Sequence, residues 1–134
     1  MDIIELTREL GKALQQDDRY IAYNLAKQVN DEDKELNEDI EKFTKLRIDL
    51  TTAMSYENKD TELIKQLDED IKSTYNKIMS NKNMIVFTAA QKALESLVSN
   101  MTQIISLCAN GEDPDTCQPS SGCSGSCASC GGCG

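Results

Sequence analysis

Before residue 110 the chain has a single glycine, Gly11, and no proline; the other six glycines and both prolines come after it. Proline removes a backbone donor and glycine costs backbone entropy, so these are the residues that interrupt helices. A stretch this long without breakers, rich in Lys, Glu, Leu, Ala and Gln, predicts an all-α body. Aromatic residues make up 4% of the chain and β-branched runs are short, which leaves little to build strands.

Apolar spacing divides that body into about five helices. Ile3, Leu6, Leu10 and Leu14 predict a first helix over 2–16, in which Gly11 either admits a close neighbour or is a weak point. Asp17 and Asp18 are N-cap candidates for a second helix over 18–30, with an apolar face of Tyr20, Ile21, Leu25 and Val29. Asp31 is the expected cap of a third helix, 32–56, carrying Leu36, Ile40, Phe43, Leu46, Leu50 and Met54. Asp60 caps a fourth, 61–80, with Leu63, Ile64, Leu67, Ile71, Tyr75 and Ile78. Two long helices joined by so short a turn should pack as an antiparallel hairpin with charged outer faces. Ser80 or Asn81 opens the fifth helix, to about residue 108. There Phe87, Ala90, Leu94, Leu97, Met101, Ile104 and Cys108 alternate three and four apart, and Ile85, Val98 and Ile105 widen the stripe. This is the most apolar helix and the expected spine of the core; three heptads also suit a seam with a partner. The architecture expected is thus the hairpin packed on short N-terminal helices and a long apolar C-terminal helix, followed by a flexible cysteine-rich tail.

Composition changes after Asn110-Gly111, a good helix stop. Residues 109–134 hold three acids, no Lys or Arg, and almost no large apolar side chain. Such a segment buries too little to offset its ordering entropy, so it should be flexible until its cysteines are tied. The domain division expected is 1–108 and 109–134.

Five of the six cysteines lie in the final CQPSSGCSGSCASCGGCG, and Cys123, Cys127, Cys130 and Cys133 are separated by three, two and two residues. Thiolates are soft ligands for iron–sulfur clusters, zinc and Cu(I). Tight spacing with Gly, Ser and Ala between lets one loop aim several sulfurs at one centre, as in ferredoxin-type runs. Four thiolates suffice for one [4Fe–4S] cluster. Zn(Cys)4 needs the same ligands but usually as two separated pairs. Disulfides or a redox-sensitive thiol tail are the remaining options. Cys123, Cys127 and Cys130 also match the radical-SAM spacing, but that chemistry needs a large barrel this chain is too short to build. Cys117 is a possible additional ligand; Cys108, on the fifth helix's apolar stripe, reads as a small buried hydrophobe.

The net charge of −9 gives no electrostatic reason to hold nucleic acid or anionic membranes. Without histidine, neither a Ser/His/Asp nor a Cys/His active site can be assembled. A thiol enzyme would need a cation beside its cysteine, and the last one is Lys92. No catalytic residue is expected. Acidic pairs such as Asp17/Asp18, Glu38/Asp39 and Asp68/Glu69/Asp70 read as solvated faces. The first residues lack the basic start and apolar run of a signal peptide, and no apolar run is long enough to span a bilayer, so a cytoplasmic location is expected. In that compartment cysteine clusters more often bind metal than form disulfides.

The register TRELGKALQQDDRYIAYNLAKQ, an acidic break, two long charged helices and SNKNMIVFTAAQKALESLVSNMTQII resemble the YlbF/YmcA family of small bacterial helical proteins. Leu10-Gly11, the Asp-Asp-Arg-Tyr start of the second helix and Ala90-Gln91 carry the likeness, and the tail is similar to that of the YlbF branch. The resemblance implies a non-enzymatic regulator working with YmcA-like and YaaT-like proteins in competence, sporulation and biofilm development. It also implies a link to RNA processing through RNase Y and a [4Fe–4S] cluster, with Cys123, Cys127, Cys130 and Cys133 as candidate ligands. A homo- or hetero-oligomer is expected. The alternative is a structural helical interaction module with a zinc-binding or disordered, redox-sensitive tail.

Overall fold

The structure, a computed structural model, describes residues 1–120. Five helices follow in order: α1 (Ile3–Leu14), α2 (Asp18–Glu32), α3 (Lys34–Ser55), α4 (Thr61–Met79) and α5 (Lys82–Ala109). No strand occurs among the described residues, so the all-α expectation holds. The chain forms two compact units, Met1–Ala90 and Gln91–Gly134, divided within α5.

In the first unit the helix starts follow the acidic residues. Asp2 accepts the Ile4 N–H while Glu5 reaches back to the Asp2 N–H, a reciprocal capping box. Asp17 caps α2, accepting the Arg19 N–H and pairing both carboxylate oxygens with the Arg19 guanidinium at 2.8 Å. That pairing, reinforced by the backbone bond, holds the Asp17 carboxyl at about 2. Asp60 caps α4 through the Leu63 N–H, as its position predicts.

The α2–α3 break differs from the sequence expectation. Helix α2 runs on to Glu32, and Asp33, not Asp31, caps α3 by accepting the Leu36 N–H at 3.0 Å. Asp33 prevails because its second oxygen has work that Asp31 does not share. It accepts from the side-chain amides of Asn81 (3.2 Å) and Asn83 (3.0 Å), at the turn between α4 and α5. Asn81 in turn caps the start of α5, its Oδ1 accepting from the Asn83 and Met84 N–H groups. Asn37 completes the corner, its amide donating to the carbonyls of Asn30, Asp31 and Asp33. These donors, the Leu36 N–H first, hold the Asp33 carboxyl below the usual aspartate range.

Helices α3 and α4 form the expected antiparallel hairpin. The start of α3 meets the end of α4: Lys77 lies 3.3 Å from Asp39 and 3.7 Å from Glu35, and the Phe43 and Tyr75 rings are 6.0 Å apart. The core sits along this hairpin and α2. Ala26, Leu36, Ala53, Leu67 and Ile78 are its buried apolar residues, and among the described residues Leu36 alone is fully enclosed. Thr74 and Asn30 are buried with them; Asn30 Oδ1 lacks a hydrogen-bond partner, and its amide has only a 3.7 Å contact to Met84 Sδ. An unpaired buried acceptor is a local cost.

Two expectations about the apolar faces are corrected. The fifth helix is not the spine of the core, since none of its residues is buried and Ile85, Val86, Val98, Ile104 and Ile105 are exposed. Phe87 does meet Tyr23, at 5.4 Å between rings. Periodicity shows that a helix has an apolar face; it does not show what covers that face. Helix α1 likewise buries nothing, with Ile3 72% and Leu6 50% exposed. A Cβ on Gly11 would meet nothing within 4 Å, so Gly11 is a weak point of the helix and not a close approach.

Two outcomes follow from these contacts. Leu36→Ala empties the one fully enclosed position and should cost about 3 kcal/mol, read as a lower urea midpoint at unchanged slope. Asp17 and Asp33 titrate lower in the folded chain than in the unfolded one. Their contribution is therefore complete above an ordinary aspartate value of about 4 and is lost as pH falls below it, for Asp17 through about 2. Denaturation monitored by circular dichroism should show that acid-side loss, and Asp33→Ala should reduce it while lowering Tm by about 5 °C at neutral pH.

Candidate functional site

The thiols that the sequence singles out divide into two sets. Cys123, Cys127, Cys130 and Cys133 lie outside the described residues. Cys108 and Cys117 lie within them, both free and both half-buried, in the second unit.

Local sequence folds the segment that joins them. Helix α5 ends where Gly111 takes the left-handed conformation, φ 92°, which a residue with a Cβ adopts only under strain. The Gly111 N–H then donates to the Cys108 carbonyl and the Glu112 N–H to the Leu107 carbonyl, each at 3.0 Å. Three acceptors of the last helical turn are filled, since the Asn110 N–H reaches Ser106 and Leu107. The chain reverses and begins one further turn. Asp113 Oδ1 accepts the Asp115 N–H at 2.9 Å, and the Asp113 carbonyl accepts from Thr116 (3.2 Å) and Cys117 (2.9 Å). Pro114 follows directly, with its φ already suited to a helical first position. The Ser120 N–H donates to Gln103 Oε1 at 2.8 Å, which lays the segment back along α5.

The Cys117 thiol donates to the Pro114 carbonyl at 3.9 Å. Burial pushes the Cys117 thiol above its ordinary value, and the Cys108 thiol beside it adds to the rise.

This corrects two readings of the sequence. Cys108 is half-buried and not an enclosed hydrophobe. The segment expected to be flexible from residue 109 has a folded start, because hydrogen bonds to Leu107, Cys108 and Asp113 replace the missing apolar burial. Asn110-Gly111 signalled the helix stop, and Asp113-Pro114 is a cap followed by a helical first position. Read together, those pairs would have disclosed the returning turn.

The pair does not by itself make a metal centre. Among the described residues no group of three or more His, Cys, Asp or Glu side chains could hold an ion. The donor chemistry of the four later cysteines fits a thiolate-ligated cluster, since four soft sulfurs with two or three residues between them can share one centre. Elsewhere, an open concavity of about 400 Å³ runs along α3, lined by Phe43, Thr44, Arg47, Ile48, Thr51 and Thr52. Its polar groups are three threonines and a guanidinium 5.8 Å from the Phe43 ring centre, with no acid, thiol or amine to transfer a proton. No helix among the described residues is long and apolar enough to cross a membrane.

Residues 3–107 match the family profile described as "Control of competence regulator ComK, YlbF/YmcA". No curated protein and no solved structure gives a significant match to the chain.

Proposed function

The chain belongs to the YlbF/YmcA family, whose description is the control of the competence regulator ComK, and from that premise we propose that it is a non-enzymatic adaptor acting through other proteins in the cytoplasm. Its surface supports this reading. Helix α1 is strongly two-faced and buries none of its residues, leaving Ile3, Leu6 and Leu10 open to a protein partner. Contiguous apolar surface of this kind marks an interaction site. Its acids and bases, Glu5, Arg8, Glu9 and Lys12, include both signs, so the face can meet a protein of either charge. By family resemblance the partners are YmcA-like and YaaT-like proteins, in an assembly that modulates RNase Y-type RNA processing linked to competence, sporulation or biofilm control.

The tail gives the adaptor a second component. Cys123, Cys127, Cys130 and Cys133 would hold a [4Fe–4S] cluster, with Cys117 as an additional ligand. Such a group supplies redox and iron sensitivity and, with four thiolates, adds negative charge to a segment that has no cation of its own. The chain's own part is to deliver four sulfurs and to present an acidic surface to a basic receptor. The readout is partner affinity.

The observation that carries the proposal is the family match over residues 3–107, taken with the uncovered α1 face. Protein isolated without air, alone and with coexpressed YmcA-like and YaaT-like proteins, should contain iron and sulfide and absorb broadly in the visible. Cys127→Ser with Cys130→Ser should abolish that absorption and leave the helical signal intact. Colourless protein containing zinc would instead mark a structural module with a metal-clipped tail. At the other end, Leu6→Asp should weaken association with the coexpressed partners at least ~10-fold, the scale of losing a buried anchor. Because Leu6 is half exposed, the same substitution should leave the urea midpoint nearly unchanged.

A further inference from the structure

Asn110 is the one asparagine in the sequence that a glycine follows. That order carries chemistry of its own. The backbone nitrogen of the next residue can attack the asparagine side-chain carbonyl carbon, and glycine presents that nitrogen with no side chain in the way. Asn110 stands exposed just past the end of α5, open to water. The nitrogen that would attack it is engaged. The Gly111 N–H donates to the Cys108 carbonyl at 3.0 Å, and the Glu112 N–H closes the stop on the Leu107 carbonyl at 3.0 Å. Gly111 is held between these bonds at φ 92°. While its proton is donated to a carbonyl, that nitrogen does not give it up to a base, so the helix stop withholds the nucleophile. Releasing it requires the end of α5 to open, and helix ends are where opening costs least.

We propose that Asn110 is a self-modification site, deamidated through a cyclic imide when the end of α5 opens and protected while the stop is closed. A solvent base takes the Gly111 N–H proton. The nitrogen's electron pair forms a bond to the Asn110 side-chain carbon, the bond to the side-chain nitrogen breaks, and ammonia leaves. Water then adds to one of the two imide carbonyls and opens the ring. The net change consumes a water and releases an ammonia, with nothing oxidised or reduced. Opening at one carbonyl gives aspartate. Opening at the other gives isoaspartate, whose backbone runs through the former side chain. Isoaspartate puts an extra carbon between residues 110 and 111, so the Gly111 and Glu112 N–H groups no longer arrive in register for the Cys108 and Leu107 carbonyls. Either product also places a carboxylate at the end of the helix that its macrodipole already makes negative. The change runs one way and loosens the segment that leads to the four later cysteines. It depends on neither the docking reading nor the cluster reading.

The test ages the full-length chain beside a free peptide of residues 106–115 in the same mildly alkaline buffer. Aged protein is cut after glutamate, which isolates Ser96–Glu112; deamidation makes that fragment heavier by the difference between a hydroxyl and an amino group. Fragmentation in the mass spectrometer separates Asn110 from Asn100 and Gln103 in the same fragment. Hydrogen exchange at the Gly111 N–H, read by NMR, measures how often the stop opens. Asn110 should deamidate at least ~10-fold more slowly in the chain than in the peptide, by a factor that follows the exchange protection of Gly111. Aged protein carrying isoaspartate should exchange its Gly111 and Glu112 amides at least ~10-fold faster than fresh protein, while an Asn110→Gln chain aged alongside keeps its fresh rates. Equal deamidation in chain and peptide, slowing without exchange protection at Gly111, or unchanged exchange in the isoaspartate form would overturn the proposal. Failure of the cluster assay would leave these results untouched.

Discussion

The carboxylate of Asp33 binds three parts of the first unit at once. One oxygen starts α3 by accepting the Leu36 N–H; the other accepts from Asn81 and Asn83, where α4 gives way to α5. Hydrogen bonds to an ionised acceptor are stronger than those between neutral groups, and the low Asp33 titration is the same fact seen from the proton's side. The position matters because Leu36, three residues on, is the one fully enclosed side chain. Polar capping sets where α3 begins, and that start determines which face carries Leu36 into the core. The remaining buried apolar residues, Ala26, Ala53, Leu67 and Ile78, come from helices whose ends this clasp aligns.

So small a buried set leaves much apolar surface in use elsewhere. A protein that folded only for its own stability would cover Ile3, Leu6 and Leu10, or replace them with polar residues. For a member of a family described by its control of a competence regulator, the proposal assigns that exposed face to docking. On that proposal folding and docking make different demands. Leu36 serves the first, and Leu6 the second.

Much of this was legible in residue order. Asp17 and Asp60 announced their helices because a short acidic side chain fits the open N–H groups of a helix start, a local matter of two or three residues. The hairpin was legible because a brief turn between two long amphipathic helices allows one arrangement. Asp31 against Asp33 was not legible, since the deciding partners, Asn81 and Asn83, lie 48 and 50 residues away. The role of α5 was misread for a related reason. An apolar stripe reports only that something covers it, within the chain or outside. At the thiols, the four closely spaced cysteines stood out by composition, while Cys108 and Cys117, too far apart to form a motif, did not.

The residue order by itself determined the helices, their caps other than that of α3, the hairpin and the concentration of soft sulfur after residue 116, because each depends on neighbours a few positions apart. Tertiary structure alone decided that Asp33 is the clasp and that Leu36 is enclosed while α1 and α5 are not. Those outcomes depend on which surfaces meet after the chain turns back on itself. Helical periodicity does not carry that information, because it describes one helix at a time.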